Sequence, residues 1–225
     1  MAERISIAID GPSGAGKSTM AKSAASRFGL IYADTGAIYR TVGFAARRAG
    51  VGSKDAEGIS KLLSETKIEL RYEGNVQKMV LNGEDVTPFL REPEISIYAS
   101  DVSAIPEVRA FLLEMQRSLA REHNVIMDGR DIGTVVLPDA SLKIFLTADP
   151  EDRARRRYGE LLERGSEVTF EEVLRDIEYR DRNDSSRAAA PLAVADDAVV
   201  IDTTGNTLSE SVEMVCGLIA EKLGL

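Results

Sequence analysis

The chain has 225 residues, of which 44% are hydrophobic and 29% are charged, and its formal net charge is −9. This length allows one α/β domain with small additions, or two modest domains, with a substantial core. The acidic balance argues against a non-specific nucleic-acid surface or an anionic-membrane surface, because both need excess basic charge. No apolar run approaches the length of about 20 residues that spans a bilayer. The N-terminus shows no signal-peptide pattern, so we expect a cytoplasmic protein.

The first predicted strand, residues 5–9, ends in a glycine-rich turn, and a helix-forming run follows at residues 20–25. The turn matches the motif G-x-x-x-x-G-K-[ST] through Gly11, Gly16, Lys17 and Ser18. Glycines let the backbone wrap closely around a phosphate, and the amides of the turn and of the helix N-terminus favour an anion. Lys17 supplies charge to the β- and γ-phosphates, and the Ser18 hydroxyl is placed to bind Mg²⁺. This context predicts a nucleoside triphosphate site rather than an ordinary glycine-rich turn.

After the turn, strands and helices alternate. Residues 30–33 form a predicted strand that ends at Asp34, where a helix begins, and the pattern predicts another helix over residues 55–66. Three further apolar strands are predicted at residues 124–127, 142–147 and 198–202. Ligands of open α/β sheets bind at the carboxyl ends of the strands, so the motifs at those ends can share one cleft. We therefore predict a five-stranded parallel sheet flanked by helices.

The pattern changes in the middle of the chain. Residues 68–72 and 77–81 read as a small antiparallel hairpin, with a third short strand near residues 85–87. Two helices are predicted next, over residues 94–103 and 106–122. An antiparallel patch that interrupts a βα alternation indicates an inserted subdomain.

A strongly charged helix is predicted over residues 153–164. It could be a lid that closes over the triphosphate and brings charge to the transition state. A solvated helix with i,i+4 ion pairs explains the same residues nearly as well. Beyond it, Thr169 and Thr207 each precede a glutamate by three residues, and this spacing predicts a capping box at the start of each of the last two helices.

Two carboxylates, Asp34 and Asp128, stand at the ends of predicted strands. One of them should hold the water shell of Mg²⁺, as acids after the neighbouring strand do in phosphate-loop enzymes. Asp128 follows four mostly apolar residues and has the usual position, and Asp34 is the second candidate. Helix N-capping is the alternative for either residue.

Several arginines fall where acceptor and transferred phosphates would lie: Arg40, Arg109, Arg130, Arg180 and Arg187. Arginine binds phosphate through a planar fork of donors, so several in one cleft suit an anionic substrate. A surface salt bridge is the usual alternative for any one arginine. A surface salt bridge explains Arg130 least well, because Arg130 follows the end of a predicted strand.

The only histidine, His123, lies away from every motif, so the chemistry uses no histidine base. A hydroxyl acceptor would need a general base, usually a carboxylate. A phosphate acceptor needs only positioning and charge neutralisation. The residues favour a phosphate acceptor, while a metabolite-alcohol kinase with Asp34 as base and a non-catalytic ATP-sensing module stay open as alternatives.

Together these motifs resemble the bacterial cytidylate kinases in order and spacing over nearly the whole chain. The resemblance is carried by IDGPSGAGKST at residues 9–19, DTGAIYR at 34–40, MDGRDIGT at 127–134, KIFL at 143–146 and RDRNDSSR at 180–187. It implies Mg²⁺-dependent transfer of the ATP γ-phosphoryl group to CMP or dCMP by a monomer. It also implies a P-loop nucleoside monophosphate kinase fold: a core at residues 1–66, 105–152 and 171–225, a monophosphate-binding insert at 67–104 and a helical lid at 153–170.

The resemblance also assigns roles to single residues. It implies that the cytosine base is read by Thr35, Arg109, Asp131 and Arg187, the ribose by Ser100, Arg180 and Asp184, and the acceptor phosphate by Arg40 and Arg130. It implies that ATP is bound by Gly11, Pro12, Ser13, Gly14, Ala15, Gly16, Lys17, Ser18, Thr19, Arg156 and Arg157. The expected catalytic residues are Lys17, Arg130 and Arg180, and the expected metal-site residues are Ser18, Asp34 and Asp128.

Overall fold

Residues 4–225, which the computed structural model describes, form eight strands and eight α-helices. The strands are β1 (Ser6–Asp10), β2 (Ile31–Asp34), β3 (Ile68–Glu73), β4 (Val76–Leu81), β5 (Glu84–Asp85), β6 (Val125–Gly129), β7 (Leu142–Thr147) and β8 (Val199–Asp202). The helices are α1 (Lys17–Phe28), α2 (Thr35–Arg48), α3 (Ala56–Ser64), α4 (Pro93–Val102), α5 (Pro106–Glu122), α6 (Pro150–Glu163), α7 (Phe170–Ser186) and α8 (Leu208–Leu223). Residues 1–3 lie outside the described residues. They belong to the predicted core segment 1–66 and to the N-terminus that shows no signal-peptide pattern.

The predicted parallel sheet is confirmed, with strand order β2-β6-β1-β7-β8. Strand β6 lies between β1 and β2, and it extends through Gly129, two residues beyond the predicted end. In this register Asp128 faces Asp34 on one side and Ile9 on the other. The carboxyl ends of β1, β2 and β6 therefore meet at one edge of the sheet, and the motifs that follow them share one cleft.

Two helical layers cover the sheet because side chains alternate between its faces along each strand. Ile7 and Ile9 of β1 point into a cluster with residues of α1 and α8, which includes the buried Cys216. Ala8 lies on the other face, in a cluster bordered by Leu113 and Leu119 of α5. The interior of β1 is thus apolar on both faces, as is usual for a buried parallel strand.

The antiparallel sheet is confirmed, with order β3-β4-β5. The third short strand predicted near residues 85–87 is confirmed as β5, which begins at Glu84 and ends at Asp85. There the Asp85 carboxylate accepts a hydrogen bond from the Thr87 amide at 2.9 Å, and the Thr87 hydroxyl accepts one from the Met79 amide at 2.8 Å. These side-chain hydrogen bonds replace the backbone hydrogen bonds between β4 and β5. Pro88, which has no amide hydrogen, continues the turn.

Side chains of the antiparallel sheet fasten it to the exposed edge of β2. The Gln77 amide accepts a hydrogen bond from the Asp34 backbone nitrogen at 2.8 Å and donates one to the Asp34 carbonyl at 3.1 Å. The Tyr72 hydroxyl donates to the Tyr32 carbonyl at 2.9 Å. An edge strand otherwise leaves such groups unpaired. The insert therefore holds the end of β2, where Asp34 enters the cleft.

Helices α6 and α7 pack on each other through a small cluster that includes Leu161 and Ile177. The Tyr158 and Phe170 rings meet edge to face, 6.2 Å between centroids. The predicted capping boxes at Thr169 and Thr207 are both present. Across the described chain, no helix has the length and apolar character needed to cross a membrane.

Candidate active site

A cavity of about 340 Å³ opens at the carboxyl edge of the parallel sheet. The glycine-rich loop forms one wall, α4 forms another, and α6 and α7 border it. The predicted site residues that line it are Ser13, Gly14, Gly16, Lys17, Ser18, Thr19, Asp34, Thr35, Arg40, Ser100, Asp128, Arg130, Asp131, Arg157, Arg180, Asp184 and Arg187. Residues from the first and the last third of the chain thus come together in one cleft.

The glycine-rich loop depends on glycine where the backbone is most crowded. Gly11 has a φ of 147°, and a Cβ atom there would lie 1.9 Å from the Leu146 carbonyl oxygen of β7. Gly16 has a φ of 85° and directly precedes α1, to which it gives no side-chain cap. An uncapped helix N-terminus with free amides and a favourable dipole is a ready site for an anion.

Lys17 lies buried inside this loop. Its Nζ donates a hydrogen bond to the Pro12 carbonyl at 2.7 Å, and it forms no salt bridge with any residue from 4 to 225. Burial, together with the nearby Arg130 guanidinium, holds the pKa of Lys17 well below its ordinary value. An anion in the cavity would supply the missing counter-charge, so the site favours a bound phosphate.

Asp128 accepts two hydrogen bonds at the centre of the sheet edge, from the Ser18 hydroxyl at 2.7 Å and from the Tyr32 hydroxyl at 2.9 Å. Burial raises the pKa of Asp128, and the neighbouring Asp34 carboxylate raises it further. A carboxylate and a hydroxyl that lie in contact, in a site that disfavours negative charge, suit a hard cation with oxygen ligands.

No cluster of three or more His, Cys, Asp or Glu side chains that could hold a metal ion occurs within residues 4–225. Such a cluster is not required for Mg²⁺, which keeps several waters and binds through one or two carboxylates and substrate phosphates. The residues present at Ser18 and Asp128 therefore fit Mg²⁺ that arrives with a nucleotide.

Asp34 is occupied by partners within the protein. It accepts from the Ala37 amide at 2.8 Å, so helix capping is confirmed for this residue. Its carboxylate also accepts from Arg40 Nη2 at 2.8 Å and from Arg91 Nη2 at 2.8 Å. Burial would raise the pKa of Asp34, but the two guanidinium groups outweigh it and hold that pKa below its ordinary value. A carboxylate in this state is a weak general base.

A second group of buried charges surrounds Asp131, which lines the cavity. Asp131 accepts hydrogen bonds from Arg109 and from Arg187, the latter at 3.2 Å. Burial raises the pKa of Asp131, although both guanidinium groups act in the opposite direction. The Thr35 hydroxyl, nearby on the cavity wall, donates to the Asp128 carbonyl at 2.7 Å. Fixed donors and a fixed acceptor in one place can recognise a planar polar ring.

Arg130 and Arg180 differ in their partners. Arg130 Nε donates to Asp184 at 2.7 Å. Arg180 forms no salt bridge with any other described residue, and its buried Nε has no hydrogen-bond partner. Burial and the nearby Arg130 lower the pKa of Arg180 to about 10, so it stays charged at neutral pH. The cavity thus contains a guanidinium group that is free to bind an anion.

Ser100 reaches the cavity from α4 and is oriented by α7. Asn183 Nδ2 donates to the Ser100 hydroxyl oxygen and to the Ser100 carbonyl, both at 2.9 Å. The Ser100 hydroxyl donates to no other described residue, so its hydrogen is available to a ligand acceptor.

Five predicted residues do not line the cavity: Gly11, Pro12, Ala15, Arg109 and Arg156. Arg109 lies behind Asp131. Arg156 turns towards the segment after β8, where its Nη1 donates to the Thr203 hydroxyl at 3.0 Å. Arg157, by contrast, lines the cavity and pairs with Glu160 at 3.0 Å.

The sequence prediction missed two cationic residues that line the cavity, Lys22 and Arg91, and it placed a third, Arg164, only as part of the lid. Lys22 follows the glycine-rich loop by one helical turn, and this spacing could have indicated it. Arg91 lies in an irregular segment before α4, and only the docking of the insert brings it to Asp34. Arg164 ends α6, within the stretch already predicted to be a charged lid.

Comparisons with known proteins agree over almost the whole chain. The family model described as "Cytidylate kinase" matches residues 7–221. A protein of Caldicellulosiruptor saccharolyticus named "Cytidylate kinase" is 50% identical, with 99% of this chain and 98% of that protein covered. One of Carboxydothermus hydrogenoformans with the same name is 47% identical over 96% of this chain and 97% of that protein. In fold, the chain is similar to an uncharacterized protein from Eubacterium ventriosum, with a TM-score of 0.53, 15% identity and coverage of 97% and 99%.

Proposed function

The chain belongs to the cytidylate kinase family, and we propose that it transfers the γ-phosphoryl group of ATP to CMP or dCMP, giving ADP and CDP or dCDP. The observation that carries this proposal is a pair of cations in one cavity, Lys17 and Arg180, that are not surface-exposed and form no salt bridge within the described chain. Cations without a carboxylate partner are costly in a buried or half-buried site. They fit a protein whose ligands bring the anionic groups, as a nucleoside triphosphate and a monophosphate both do.

We propose that different residues of the cavity bind the phosphates of ATP and of CMP. The glycine-rich loop and Lys17 hold the β- and γ-phosphates of ATP, while Arg40 and Arg130 hold the phosphate of CMP. Arg180 lies between these groups and neutralises the phosphoryl group as it moves. Phosphoryl transfer needs little covalent help from a protein, so in-line positioning and neutralisation of charge account for most of the catalysis.

The metal proposal rests on Ser18 and Asp128. Their oxygen atoms would hold Mg²⁺ at the nucleotide, and Asp34 beside them adds negative charge to the same site. Bound there, Mg²⁺ supplies positive charge that neutralises phosphate oxygens. The bonds of Asp34 to Arg40 and Arg91 leave it a poorer direct ligand than Asp128, so we propose that it acts on the water shell.

The base proposal rests on the group around Asp131. Cytosine presents an amino donor beside ring acceptors, and a carboxylate flanked by guanidinium groups matches that pattern. Uracil places a carbonyl oxygen where cytosine has its amino group, so the Asp131 carboxylate would meet an acceptor. Each Asp131 oxygen accepts one bond from an arginine and retains a lone pair for the base.

Asp131→Ala is expected to raise KM for CMP by about 100-fold, because a paired hydrogen-bonding contact to a base edge contributes about that factor to discrimination between bases. The KM for ATP should change by less than about 3-fold. Steady-state kinetics with each substrate varied in turn measures the split. Asp139→Ala, an exposed aspartate in the same connection to β7, serves as the matched control. Equal changes in both KM values would contradict the base-reading role.

The alternative of a metabolite-alcohol kinase needs Asp34 to act as a base. Its three partners and its lowered pKa oppose that role. The alternative of an ATP sensor does not explain why a second group of arginines and carboxylates lines the same cavity as the loop.

One assay distinguishes the three candidate functions. ADP formation from ATP is followed with CMP, dCMP, UMP, AMP and a set of metabolite alcohols as acceptors. We expect CMP or dCMP to give the highest rate. A faster rate with an alcohol would favour the metabolite kinase, and no ADP with any acceptor would favour the sensor.

Three further expectations stay predictions. We propose that the insert over residues 67–104 and the lid over residues 153–170 move towards the core when ligands bind, as in the expected three-part arrangement. A monomeric state follows from the family resemblance. A cytoplasmic location is expected from the composition.

A further inference from the structure

One face of the glycine-rich loop is held from outside by an ion pair that does not line the cavity. Arg153, near the start of α6, is buried, and its Nη1 donates to the Ser13 carbonyl at 2.9 Å. Asp181, in α7, accepts from the Ser13 amide at 3.3 Å. The two side chains also bind each other at 2.6 Å. Both backbone polar groups of Ser13 are therefore fixed by one pair of side chains.

Two further contacts make this arrangement rigid. Arg153 Nε donates to the Ala148 carbonyl at 2.8 Å, just after β7, so the guanidinium group spans from the sheet to the loop. Gly14, with a φ of 76°, packs directly on α6, and a Cβ atom there would lie 3.1 Å from the Arg153 backbone oxygen. Only a fork with several donors can make the three bonds of Arg153 at once.

We infer that Arg153 and Asp181 are positioning residues, which set the loop for the β- and γ-phosphates without contact with the nucleotide. The inference rests on the proposed function and deepens it. Helix α7 carries Asp181 against the loop and, directly beside it in sequence, Arg180 in the cavity. The same helix therefore aligns the donor loop with the cation that neutralises the moving phosphoryl group.

A buried ion pair often serves stability alone, so the test must separate stability from positioning. Removal of one partner leaves an uncompensated buried charge and destabilises the fold, whereas replacement of both by apolar residues often restores stability. We therefore compare Arg153→Met, Asp181→Leu and the double variant. Their matched controls are Arg155→Gln and Arg182→Gln, which remove exposed arginines two residues and one residue away on the same helices.

The readouts are the Tm and the Kd values for ADP and for CMP from isothermal titration with Mg²⁺. We expect the double variant to recover most of the Tm lost by the single variants. Its Kd for ADP should stay raised by about 10- to 100-fold, because a small displacement of a phosphate-holding group has large effects. Its Kd for CMP should change by less than about 3-fold, and the controls should match the wild-type protein.

Two results would overturn the inference. If the double variant recovers its Tm and binds ADP as tightly as the wild-type protein, the pair serves stability alone. If the Kd values for ADP and CMP rise together, the variants loosen the whole cavity. Because ADP binding does not depend on the acceptor, failure of the wild-type protein to phosphorylate CMP would count against the proposed function and leave this test intact.

Discussion

Lys17→Ala is expected to lower kcat by about 10³-fold at saturating ATP and CMP. Lys17 is buried in the glycine-rich loop without a salt bridge in the described chain, so its charge is available to the nucleotide phosphates. Loss of one pre-positioned donor at developing charge costs a factor of about 10² to 10³ in comparable sites. A coupled assay of ADP formation measures the loss.

The stability of the same variant gives an independent check. Burial holds the pKa of Lys17 well below its ordinary value, which means that the folded protein without ligand disfavours this charge. We therefore expect the Tm of Lys17→Ala to equal or exceed that of the wild-type protein. Lys61→Ala, which removes an exposed lysine of α3, is the control for both measurements. Near-normal turnover by Lys17→Ala would remove the phosphate-loop role from the proposed mechanism.

Arg180→Ala is expected to lower kcat/KM for CMP by about 10³-fold, mostly through kcat. Its guanidinium group lines the cavity and has no ion-pair partner in residues 4–225, and its Nε is buried without a hydrogen bond. The neighbouring Arg130 shares its charge with Asp184, so it cannot fully replace the missing cation. Arginine side chains that neutralise a moving phosphoryl group contribute a factor of about 10³ to 10⁵.

Arg182→Ala, two residues further along α7 and exposed, is the control for charge removed from the same helix. Arg180→Lys should recover only part of the rate, because an ammonium group lacks the planar fork. Separate measurement of kcat and KM decides the role of Arg180. A change confined to KM for CMP would show that Arg180 binds the acceptor and does not act on the transferred group.

The strands, the main helices and the loop could be predicted because each depends on neighbouring residues. Apolar runs mark buried strands, and Thr169 and Thr207 with their glutamates form capping boxes within one helical turn. The loop also depends on local geometry, since Gly11 and Gly16 adopt positive φ angles. The end of β5 could not be predicted, because side-chain bonds of Asp85 and Thr87 end the ladder, and such bonds leave no periodic pattern.

The partners of the charged residues could not be read in this way. The sequence placed Asp34 and Asp128 at strand ends, but only the strand order makes them neighbours. It grouped Arg153 and Arg156 with the lid, whereas the fold buries Arg153 beside Ser13 and turns Arg156 to Thr203. The arginines of one helix point in different directions around its axis. Their partners therefore depend on how the helix packs against the rest of the fold.

By itself, the sequence predicted a phosphate site between a strand and a helix, because that site is marked by the spacing of glycines and Lys17 within one short continuous segment. Only the tertiary structure decided which cations are paired with a carboxylate before a ligand binds. Arg130 shares its charge with Asp184 and Arg40 with Asp34, and both keep N–H donors for a phosphate, while Arg180 has no carboxylate partner among the described residues. Charge pairing acts over a few ångströms in space, and residues far apart in the chain become neighbours only when the fold has formed.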